Sequence, residues 1–600
     1  MTLNARLNSV TDRIVVRSAK ARARYLTQMK AARLEGPRRA HLSCGNQAHA
    51  YSSMKYDKDA LSEGRGANVG IVTAYNDMLS AHHPFAKFPD EIKDKLRSLG
   101  ATAQVAAGVP AMCDGVTQGQ DGMELSLFSR DSIAMSAAIG LSHNVFDCAV
   151  FLGVCDKIVP GLVIAAARFG HLPAVFLPAG PMPSGLSNDE KTQARKDFSE
   201  GKCDREALMS VEMASYHGAG TCTFYGTANT NQMLMEFMGL HLPGSSFVAP
   251  NTPLRAALTS EGARIVVGLS DLGSSYLPVS DILTEKAYVN GIVGLMATGG
   301  STNLLIHLIA MARASGILLD WVDFQDIAEV VPLLTRIYPN GLADVNHFHA
   351  AGGLGLVVRE LLGAGLLHDD TLTVVGRGLT HYTKEPKLID GVLVWEECAR
   401  VSLNTKIIAT MEAPFEETGG LSALNGNLGH GVMKTSAVAL ERRVITARCR
   451  VFHDQASVVA AFRAGEFSSD VVVVVRYQGP KANGMPELHG LMPCLAVLQD
   501  RGIKVALVSD GRMSGASGKV PAVIHLSPEA IDNGPIACLQ DGDIVTVDAV
   551  AGVLSVEPSV LERKVMHPDL TECFGVGREM FDMFRERTGA ACDGASIFEF

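Results

Sequence analysis

Three adjacent residues, Cys155, Asp156 and Lys157, follow an apolar run that ends at Val154. A cysteine thiolate is a soft ligand that suits iron or zinc, whereas a carboxylate is a hard ligand that suits magnesium, calcium or manganese. The two types side by side therefore predict two kinds of metal at one place. On these residues alone the alternative stands that Cys155 is a small buried apolar residue and that Asp156 and Lys157 form an ordinary surface pair.

Other segments carry residue types that could join such a site. Cys113 and Asp114 open a glycine-rich loop whose backbone can approach a ligand closely, and Cys222 lies in a loop of small residues. In the last third of the chain, Glu487 and Ser514 each follow a short apolar run and its turn. A rigid strand end can hold such a polar side chain in place.

The element that must position Cys155 is predicted to be a buried parallel strand at 150–154, because the apolar run is unbroken and is followed by turn residues. In open α/β sheets, ligands bind in the crevice at the carboxyl ends of such strands. Further strands are predicted at 70–74, 103–109, 174–177, 471–475 and 504–509, and helices at 13–33, 132–141, 187–215 and 304–314. The first helix is expected to bury a stripe of Val16, Ala19, Ala23, Leu26 and Met29.

This alternation of strands and helices predicts the α/β fold class. We expect an N-terminal α/β domain with a largely parallel sheet, followed by a C-terminal β-rich domain that is barrel-like and swivelling. The boundary is placed near residue 390, where the helical pattern weakens. Residues 1–390 then carry the candidate metal ligands Cys113, Asp114, Cys155, Asp156 and Cys222. Residues 391–600 carry Glu487 and Ser514. The site is expected in the cleft between the two domains.

Composition limits the partners and the location. The 600 residues have a formal net charge of −10 at pH 7, so no nucleic acid is expected and an anionic substrate would need a local cation or metal. No apolar run reaches the roughly 20 residues that cross a bilayer, so no membrane partner is expected. Twelve cysteines without a CxxC pair, and no signal-peptide pattern, favour a reducing compartment, with the cytoplasm as the default.

Six motifs occur in order along almost the whole chain. They are CDGVTQG (113–119), CDK (155–157), GTC (220–222), GGSTN (299–303), GPKANGMPE (479–487) and DGRMSG (510–515). Each is weak alone, but the ordered set resembles the dihydroxy-acid dehydratase and 6-phosphogluconate dehydratase family of iron–sulfur hydro-lyases. The resemblance implies an enzyme, and a homodimer as its assembly.

The resemblance also implies an iron–sulfur cluster held by Cys155 and Cys222, and we expect the 4Fe-4S rather than the 2Fe-2S type. Dihydroxy-acid dehydratases have a third cluster cysteine in an earlier loop, but here Ala81 occupies that position. Cys113 is our candidate for the third ligand, with simple packing as the alternative.

For Mg²⁺ the resemblance implies ligands at Asp114, Asp156 and Glu487, together with Lys157, which some relatives carry in carbamylated form. Ser514 takes the position of the family's proposed base. In this chemistry iron acts as a Lewis acid on the C3 hydroxyl of a dihydroxy acid, while Mg²⁺ binds the carboxylate and the C2 hydroxyl and acidifies the C2 proton. Loss of water then gives a 2-keto-3-deoxy acid.

The loop around Ala81, together with segment 428–431, resembles the 6-phosphogluconate dehydratase branch of the family. This branch implies a phosphorylated sugar acid as the substrate, in the Entner–Doudoroff pathway. Ser301 and Thr302 stand at a glycine-rich helix start, where free amides favour an anion. Further candidates for substrate binding are His82, His83, Arg130 and Lys481.

Three alternatives stay open. The first keeps the chemistry but takes branched-chain dihydroxy acids or unphosphorylated sugar acids as substrates. The second is a non-catalytic iron–sulfur redox sensor, which would have no use for three carboxylates and Ser514 together. The third is a zinc-dependent hydrolase, but the sequence has no cluster of His and Cys at zinc-site spacing.

Overall fold

A sheet of four parallel strands lies in the N-terminal half: β1 (Asn68–Thr73), β2 (Thr102–Gly108), β3 (Cys148–Leu152) and β4 (Ala174–Leu177). The structure, a computed structural model, describes residues 2–54, 57–62, 66–515, 517–565, 567–568 and 574–600. The strand order is β2-β1-β3-β4, and every residue of β3 is buried. Burial of both strand faces explains the unbroken apolar run before Cys155. The four predicted strands of this half are confirmed within two residues at each end.

Helices make up most of the rest of the N-terminal half. In chain order they are α1 (Ala5–Ala32), α2 (Cys44–Tyr51), α3 (Lys58–Ser62), α4 (Phe88–Ser98), α5 (Asp114–Thr117), α6 (Ser126–Leu141), α7 (Ile158–Arg168), α8 (Asn188–Ser199), α9 (Arg205–Ser215), α10 (Thr227–Phe237), α11 (Pro253–Gly268), α12 (Val279–Ile282), α13 (Glu285–Thr298), α14 (Asn303–Ala314), α15 (Trp321–Ala328), α16 (Val345–Ala350) and α17 (Gly353–Gly363). The helix predicted at 187–215 is two helices, α8 and α9. Within the described residues, no helix is both long and apolar enough to cross a bilayer.

Helix α1 buries a different face from the predicted one. Val16 is 77% exposed and Leu26 is 40% exposed. Both alanines of the predicted stripe are also exposed, and only Met29 is buried. The buried face includes polar residues with partners in other helices, such as Arg22, which donates to the carbonyl of Ser315 at 2.8 Å. The prediction of this stripe was therefore wrong, because apolar spacing alone cannot identify a buried face that contains satisfied polar groups.

Two short antiparallel pairs precede the second large sheet: β5 (Leu372–Thr373) with β6 (Gly376–Arg377), and β7 (Lys384–Ile389) with β8 (Val392–Glu397). The predicted boundary near residue 390 lies in the turn between β7 and β8, whose strands pair along their whole length. The division of the chain at this residue stays a prediction.

A closed barrel of eight strands dominates the C-terminal part. Its strands are β9 (Leu421–Gly426), β10 (Gly429–Lys434), β11 (Val444–Phe452), β12 (Val471–Val475), β13 (Val505–Ser509), β14 (Ala522–Ser527), β15 (Ile544–Asp548) and β16 (Val553–Val556), in the order β10-β14-β13-β12-β11-β15-β16-β9. This part also contains α18 (Gln455–Arg463), α19 (Pro480–Asn483), α20 (Leu491–Asp500) and α21 (Asp582–Arg587). Short 3-10 helices occur along the chain at Arg38–His41, His83–Ala86, Asp121–Leu125, Leu379–Thr383, Leu440–Arg442, Ala530–Asp532, Pro535–Cys538, Pro558–Glu562, Arg578–Phe581 and Ala591–Asp593. The predicted fold class, a parallel α/β sheet followed by a β-rich barrel, is confirmed.

Strand β12 joins the barrel to the rest of the molecule. All five of its valines are buried, but on two sides. Val472 and Val474 belong to the barrel core, whereas Val473 and Val475 belong to the core shared with the N-terminal part. Successive side chains of a strand face opposite sides, so one strand serves both cores. The loops at the end of this strand are thereby fixed relative to the parallel sheet.

A segment near residue 595 docks on helix α6 through Arg130. The Arg130 side chain is fully buried, and its Nε lies 2.8 Å from Asp131 Oδ1. Its terminal nitrogens donate to the carbonyls of Gly594 at 2.9 Å and Ala595 at 2.7 Å. All three guanidinium nitrogens therefore have protein partners. The structure gives Arg130 a structural role, and its predicted role in substrate binding has no support from these contacts.

Replacing Arg130 by methionine is expected to loosen this segment and destabilise the fold. The change leaves the Asp131 carboxylate buried without its cation, and removal of one partner from a buried pair costs about 3–5 kcal/mol. Thermal melting and limited proteolysis, with detection of the C-terminal fragment, measure the effect. Arg313→Met is the matched control, because it breaks an exposed pair with Asp593 of the same segment and should cost under about 1 kcal/mol. Equal effects of the two substitutions would contradict the role of Arg130.

Candidate active site and metal centre

The turn between β3 and α7 holds Cys155, Asp156 and Lys157 at the carboxyl end of the parallel sheet. Cys155 has a φ angle of +74°, which is uncommon for a residue with a side chain. Asn231 of helix α10 fixes the turn, because its Nδ2 donates to the carbonyls of Cys155 at 3.2 Å and Asp156 at 3.0 Å. A strained backbone that its surroundings hold in place is typical of a functional site.

Three carboxylates from distant parts of the chain meet at this turn. One oxygen of each of Asp114, Asp156 and Glu487 lies within 4.8 Å of the other two. Asp114 begins helix α5, and Glu487 lies in a loop that pairs with Arg512 through a single parallel bridge. These three residues, named the carboxylate group below, are the ones that the sequence predicts as ligands of one metal ion.

Two buried cations offset part of the charge of the carboxylate group. Lys157 is 1% exposed and forms ion pairs with Asp156, at 3.0 Å, and with Asp114. Arg512 is 2% exposed and donates to Glu487 Oε1 at 2.8 Å. Both terminal nitrogens of Arg512 also donate to Asp114 Oδ2 at 3.1 Å. Sequence reasoning assigned no role to Arg512, although its place in the DGRMSG motif was a signal.

Burial and neighbouring charges separate the carboxyl pKa values. Burial raises the pKa of Glu487 to about 8, with the Asp114 carboxylate as the next cause. Burial also raises the pKa of Asp156. For Asp114 burial acts in the same direction, but Lys157 and Arg512 outweigh it and hold the pKa of that carboxyl well below its usual range. Converging carboxylate oxygens with excess negative charge fit a hard divalent cation.

The three thiols considered as cluster ligands lie near the carboxylate group, and the charge of Cys113 acts on the other two. Cys113 immediately precedes helix α5. Burial raises the pKa of Cys155 well above its usual value, and the charges of Cys113 and Cys222 are the next causes. Burial raises the pKa of Cys222 to about 12, again with Cys113 as the next cause. Cys148 on β3 is equally buried, but none of these thiols contributes to the increase in its pKa.

Helix α10 supports both cysteine loops. Asn229 Nδ2 donates to the carbonyl of Cys222 at 2.7 Å and to that of Phe224 at 2.8 Å. Asn231, two residues further on, holds the turn of Cys155 in the same way. The two loops therefore share one support, which limits changes in the separation of their thiols. Sequence reasoning missed both asparagines, because nothing in the TANTN segment (227–231) distinguishes them from ordinary polar helix residues.

The loop that carries Ser514 packs against the glycine loop 299–303. Asn303 Nδ2 donates to the carbonyl of the residue before Ser514 at 3.0 Å. A Cβ atom at Gly515 would lie only 2.6 Å from Ser301 Oγ, so the backbone at Gly515 comes too close for a larger residue. Because Arg512 of the same loop contacts the carboxylate group, the predicted base stands between the carboxylate group and the glycine loop.

The glycine loop uses one of its two predicted substrate-binding hydroxyls internally. Ser301 is fully buried, with its Oγ 2.8 Å from Thr227 Oγ1, and its amide donates to Thr230 Oγ1 at 3.1 Å. Thr302 stands at the N-terminus of α14, and its side chain makes no capping hydrogen bond there.

The other residues predicted to bind substrate have different surroundings. His82 is fully buried, and burial lowers its pKa to about 4, so it is neutral at pH 7. His83 lies 3.6 Å from Asp77, and both side chains are exposed. Lys481 forms an ion pair with Asp532 at 2.6 Å, outside the carboxylate group. Roles of these residues in substrate binding stay predictions that no contact supports.

Comparison with known proteins agrees with the arrangement of the motifs. The N-terminal family model of dihydroxy-acid/6-phosphogluconate dehydratases matches residues 67–382, and the C-terminal model matches residues 406–595. A Phosphogluconate dehydratase of Pseudomonas aeruginosa is 58% identical, covering 99% of each chain. A protein of the same name from Escherichia coli K12 is 56% identical and covers 100% of each chain.

A relative with a different name is more distant. The Dihydroxy-acid dehydratase of Caldanaerobacter subterraneus is 35% identical, over 83% of this chain and 87% of its own. The family resemblance predicted from the six motifs is therefore confirmed. This chain belongs to the dihydroxy-acid/6-phosphogluconate dehydratase family and is a hydro-lyase.

Proposed function

We propose that this protein removes water from 6-phosphogluconate and forms 2-keto-3-deoxy-6-phosphogluconate, as in the Entner–Doudoroff pathway. The observation that carries the proposal is the meeting of the carboxylate group with Cys155 and the Ser514 loop at one place. The substrate follows from the full-length relatives, because those named Phosphogluconate dehydratase are 50–58% identical, above the 35% of a Dihydroxy-acid dehydratase. Ala81, which is buried, agrees with this branch.

Asp114, Asp156 and Glu487 are the residues that would hold Mg²⁺. When bound there, the ion supplies a Lewis acid for the carboxylate and the C2 hydroxyl of the substrate. Lys157 already contacts two members of the carboxylate group as an ammonium. A carbamylated Lys157 would bring a further oxygen ligand to the same place, and this modification stays a prediction.

Cys155, Cys222 and Cys113 are the residues that would hold an iron–sulfur cluster, for which we keep the 4Fe-4S type. When bound, the cluster supplies a Lewis-acidic iron for the hydroxyl that leaves. The thiols fit this role because the charge of Cys113 contributes to the raised pKa of both Cys155 and Cys222, and a metal would release their protons despite the raised pKa values. Cys113 thus replaces, within this proposal, the thiol that is absent at Ala81.

The chain's own groups then account for the movement of the proton. Ser514 Oγ, as the alkoxide, takes the proton from C2, a C2–C3 double bond forms as the C3–O bond breaks, and the departing hydroxide accepts the proton from Ser514 and leaves as water. The enol that forms rearranges to the 2-keto acid. A serine can act as a base only where nearby cations lower its pKa. Arg512, a buried cation, lies two residues away on the same loop. A homodimer and a cytoplasmic location stay predictions.

The first test is anaerobic turnover of the cluster-loaded protein on 6-phosphogluconate, gluconate and 2,3-dihydroxyisovalerate, with and without Mg²⁺. We expect Mg²⁺-dependent formation of a 2-keto acid, with kcat/KM for 6-phosphogluconate at least about tenfold above the others, because a charged hydrogen bond to phosphate contributes about 1.5–3 kcal/mol. Ser514→Ala should lose at least about a thousandfold in kcat with an unchanged melting temperature. Preference for an unphosphorylated acid would refute the substrate assignment.

A second test addresses the third cluster ligand. Cys113→Ala is expected to lower the iron and sulfide content of the anaerobically reconstituted protein, because one of three thiolate ligands is lost. Cys148→Ala is the matched control, since Cys148 is also buried but lies outside the group of three thiols. Iron analysis and the visible absorption of the cluster give the readout. A full complement of iron in Cys113→Ala would exclude this ligand.

A third test uses the pKa of Glu487. Because that pKa is about 8 in the metal-free protein, the carboxyl must release a proton when it binds a cation at pH 7. Mg²⁺ affinity is therefore expected to rise by up to about tenfold for each unit by which the pH is raised toward 8, and to level off above pH 8. Calorimetric titration at pH 6.5, 7.5 and 8.5 measures both affinity and proton release. Glu487→Gln should bind Mg²⁺ more weakly and lose most of this pH dependence, and a flat profile in the wild type would contradict the assignment.

A further inference from the structure

Lys434, at the end of strand β10, is a buried cation without a partner. Its residue is 6% exposed, and its Nζ has no hydrogen-bond partner in the described part of the chain. Met433 faces the barrel core, whereas Val432 belongs to the core shared with the N-terminal part. Because side chains alternate along a strand, Lys434 points the same way as Val432, away from the barrel core and on the side of the core shared with the N-terminal part.

An ammonium in this position is unfavourable unless an anion joins it. Burial alone lowers the pKa of Lys434 to about 7, and no carboxylate contributes to the shift. Lys157, which is buried to a similar extent, has two carboxylates as partners. A buried charge without a partner costs several kcal/mol, so Lys434 lacks the negative group that its environment calls for.

The neighbours of Lys434 belong to the loop of the proposed base. A Cβ atom at Gly518 would lie 3.2 Å from Lys434 Cδ and 3.0 Å from Ala437 Cβ. The amide of Ser517 donates to the carbonyl of Ser514 at 2.9 Å, so a tight turn separates Ser514 from Gly518. Gly518, against which Lys434 packs, is therefore one turn away along the chain from the serine that is proposed to take the C2 proton.

The segment that follows Lys434 is connected to the glycine loop. Ser436, two residues beyond Lys434, donates to Asn340 Oδ1 at 3.0 Å, and Asn340 Nδ2 donates to the carbonyl of Gly299 at 2.8 Å. The N-terminus of α14, a helix of 12 residues, follows directly. The positive end of a helix dipole and a buried ammonium in one region both favour a negatively charged ligand.

We propose that Lys434 binds the phosphoryl group of the substrate, at the end of the site opposite to the protein carboxylates Asp114, Asp156 and Glu487. The proposal rests on the proposed function. The described residues of this loop supply the order: Arg512 contacts the carboxylate group, Ser514 follows it, and Gly518 packs on Lys434. A sugar acid that lies along this loop with its carboxyl end at the carboxylate group has C2 near Ser514 and its phosphoryl end near Lys434.

The site differs from the one that holds the carboxyl end. Lys434 has no electrostatic interaction with Asp114, Asp156 or Glu487 that changes its pKa, although Arg512 and Lys157 both have one. Its Nζ also has no hydrogen bond to any of these carboxylates, so Lys434 belongs to a separate part of the site. His83, Arg130 and Lys481, which the sequence predicts for phosphate, have other partners and are not needed for this contact.

The test compares Lys434→Met with Lys504→Met, an exposed lysine of the same barrel, in the cluster-loaded enzyme. Lys434→Met is expected to raise KM for 6-phosphogluconate by about 10- to 100-fold and to leave kcat/KM for gluconate within about twofold. Inorganic phosphate should inhibit the wild type and Lys504→Met competitively, and Lys434→Met more weakly by a similar factor. The melting temperature of ligand-free Lys434→Met should stay equal or rise, because an uncompensated buried charge is removed.

Several outcomes would overturn this assignment. An equal loss on 6-phosphogluconate and gluconate would place Lys434 at the part that both substrates share, such as the carboxylate. Unchanged KM and unchanged inhibition by phosphate would exclude any contact with the phosphoryl group. If turnover of gluconate is too slow to measure, the increase in melting temperature caused by inorganic phosphate gives the comparison, and its persistence in Lys434→Met overturns the proposal. A wild-type enzyme that prefers gluconate would instead refute the proposed function, whatever Lys434→Met does.

Discussion

The compensation of three buried carboxylates by two buried cations is the interaction on which the rest of the structure depends. Asp114 and Asp156 come from loops of the parallel sheet, and Glu487 comes from a loop of the barrel. Lys157 belongs to the first set and Arg512 to the second. Charges of this kind are costly to bury unless their partners are in place. The ion pair between Arg512 and Asp114 joins the two halves of the molecule, so a contact that assembles the site also holds the barrel against the sheet.

Around these carboxylates, different elements hold the proposed cluster ligands and the proposed base in place. Cys155 and Cys222 lie on loops that helix α10 fixes through Asn231 and Asn229, which limits movement where metal geometry matters. The Ser514 loop is packed against the glycine loop at Gly515, so the proposed base is also held in place. Rigid support of this kind is what a site needs to keep reacting groups in position. The uncompensated charge of Lys434 is the exception, and it marks the place where the protein by itself is incomplete.

Much of the fold and part of the site could be predicted from residue types and their order. The parallel strands were predictable because buried strands have unbroken apolar runs, and β4 and β12 coincide with the runs that predicted them. The carboxylate group could be predicted only with the help of a family resemblance, since nothing local connects Asp114 with Glu487. Arg512 was missed because its partner Asp114 is 398 residues away. Asn229 was missed because a polar residue in a helix gives no local sign of its bonds to loop carbonyls, and Lys434 because its importance comes from the lack of a partner among the described residues. The prediction of the buried face of α1 was wrong because Arg22 donates to a carbonyl that no local pattern reveals.

The positions of the site residues along the chain determine when each part can form during synthesis. Cys113, Cys155 and Cys222 and their support helix α10 are all complete once residue 237 has been made. The carboxylate group cannot form before Glu487 and Arg512 have left the ribosome, roughly 250 residues later, which at about 5–20 residues per second is a delay of tens of seconds. A nascent chain therefore presents three thiols well before it can assemble the oxygen ligands. Protection of these thiols from premature metal capture or oxidation falls to the cell during that interval rather than to the fold.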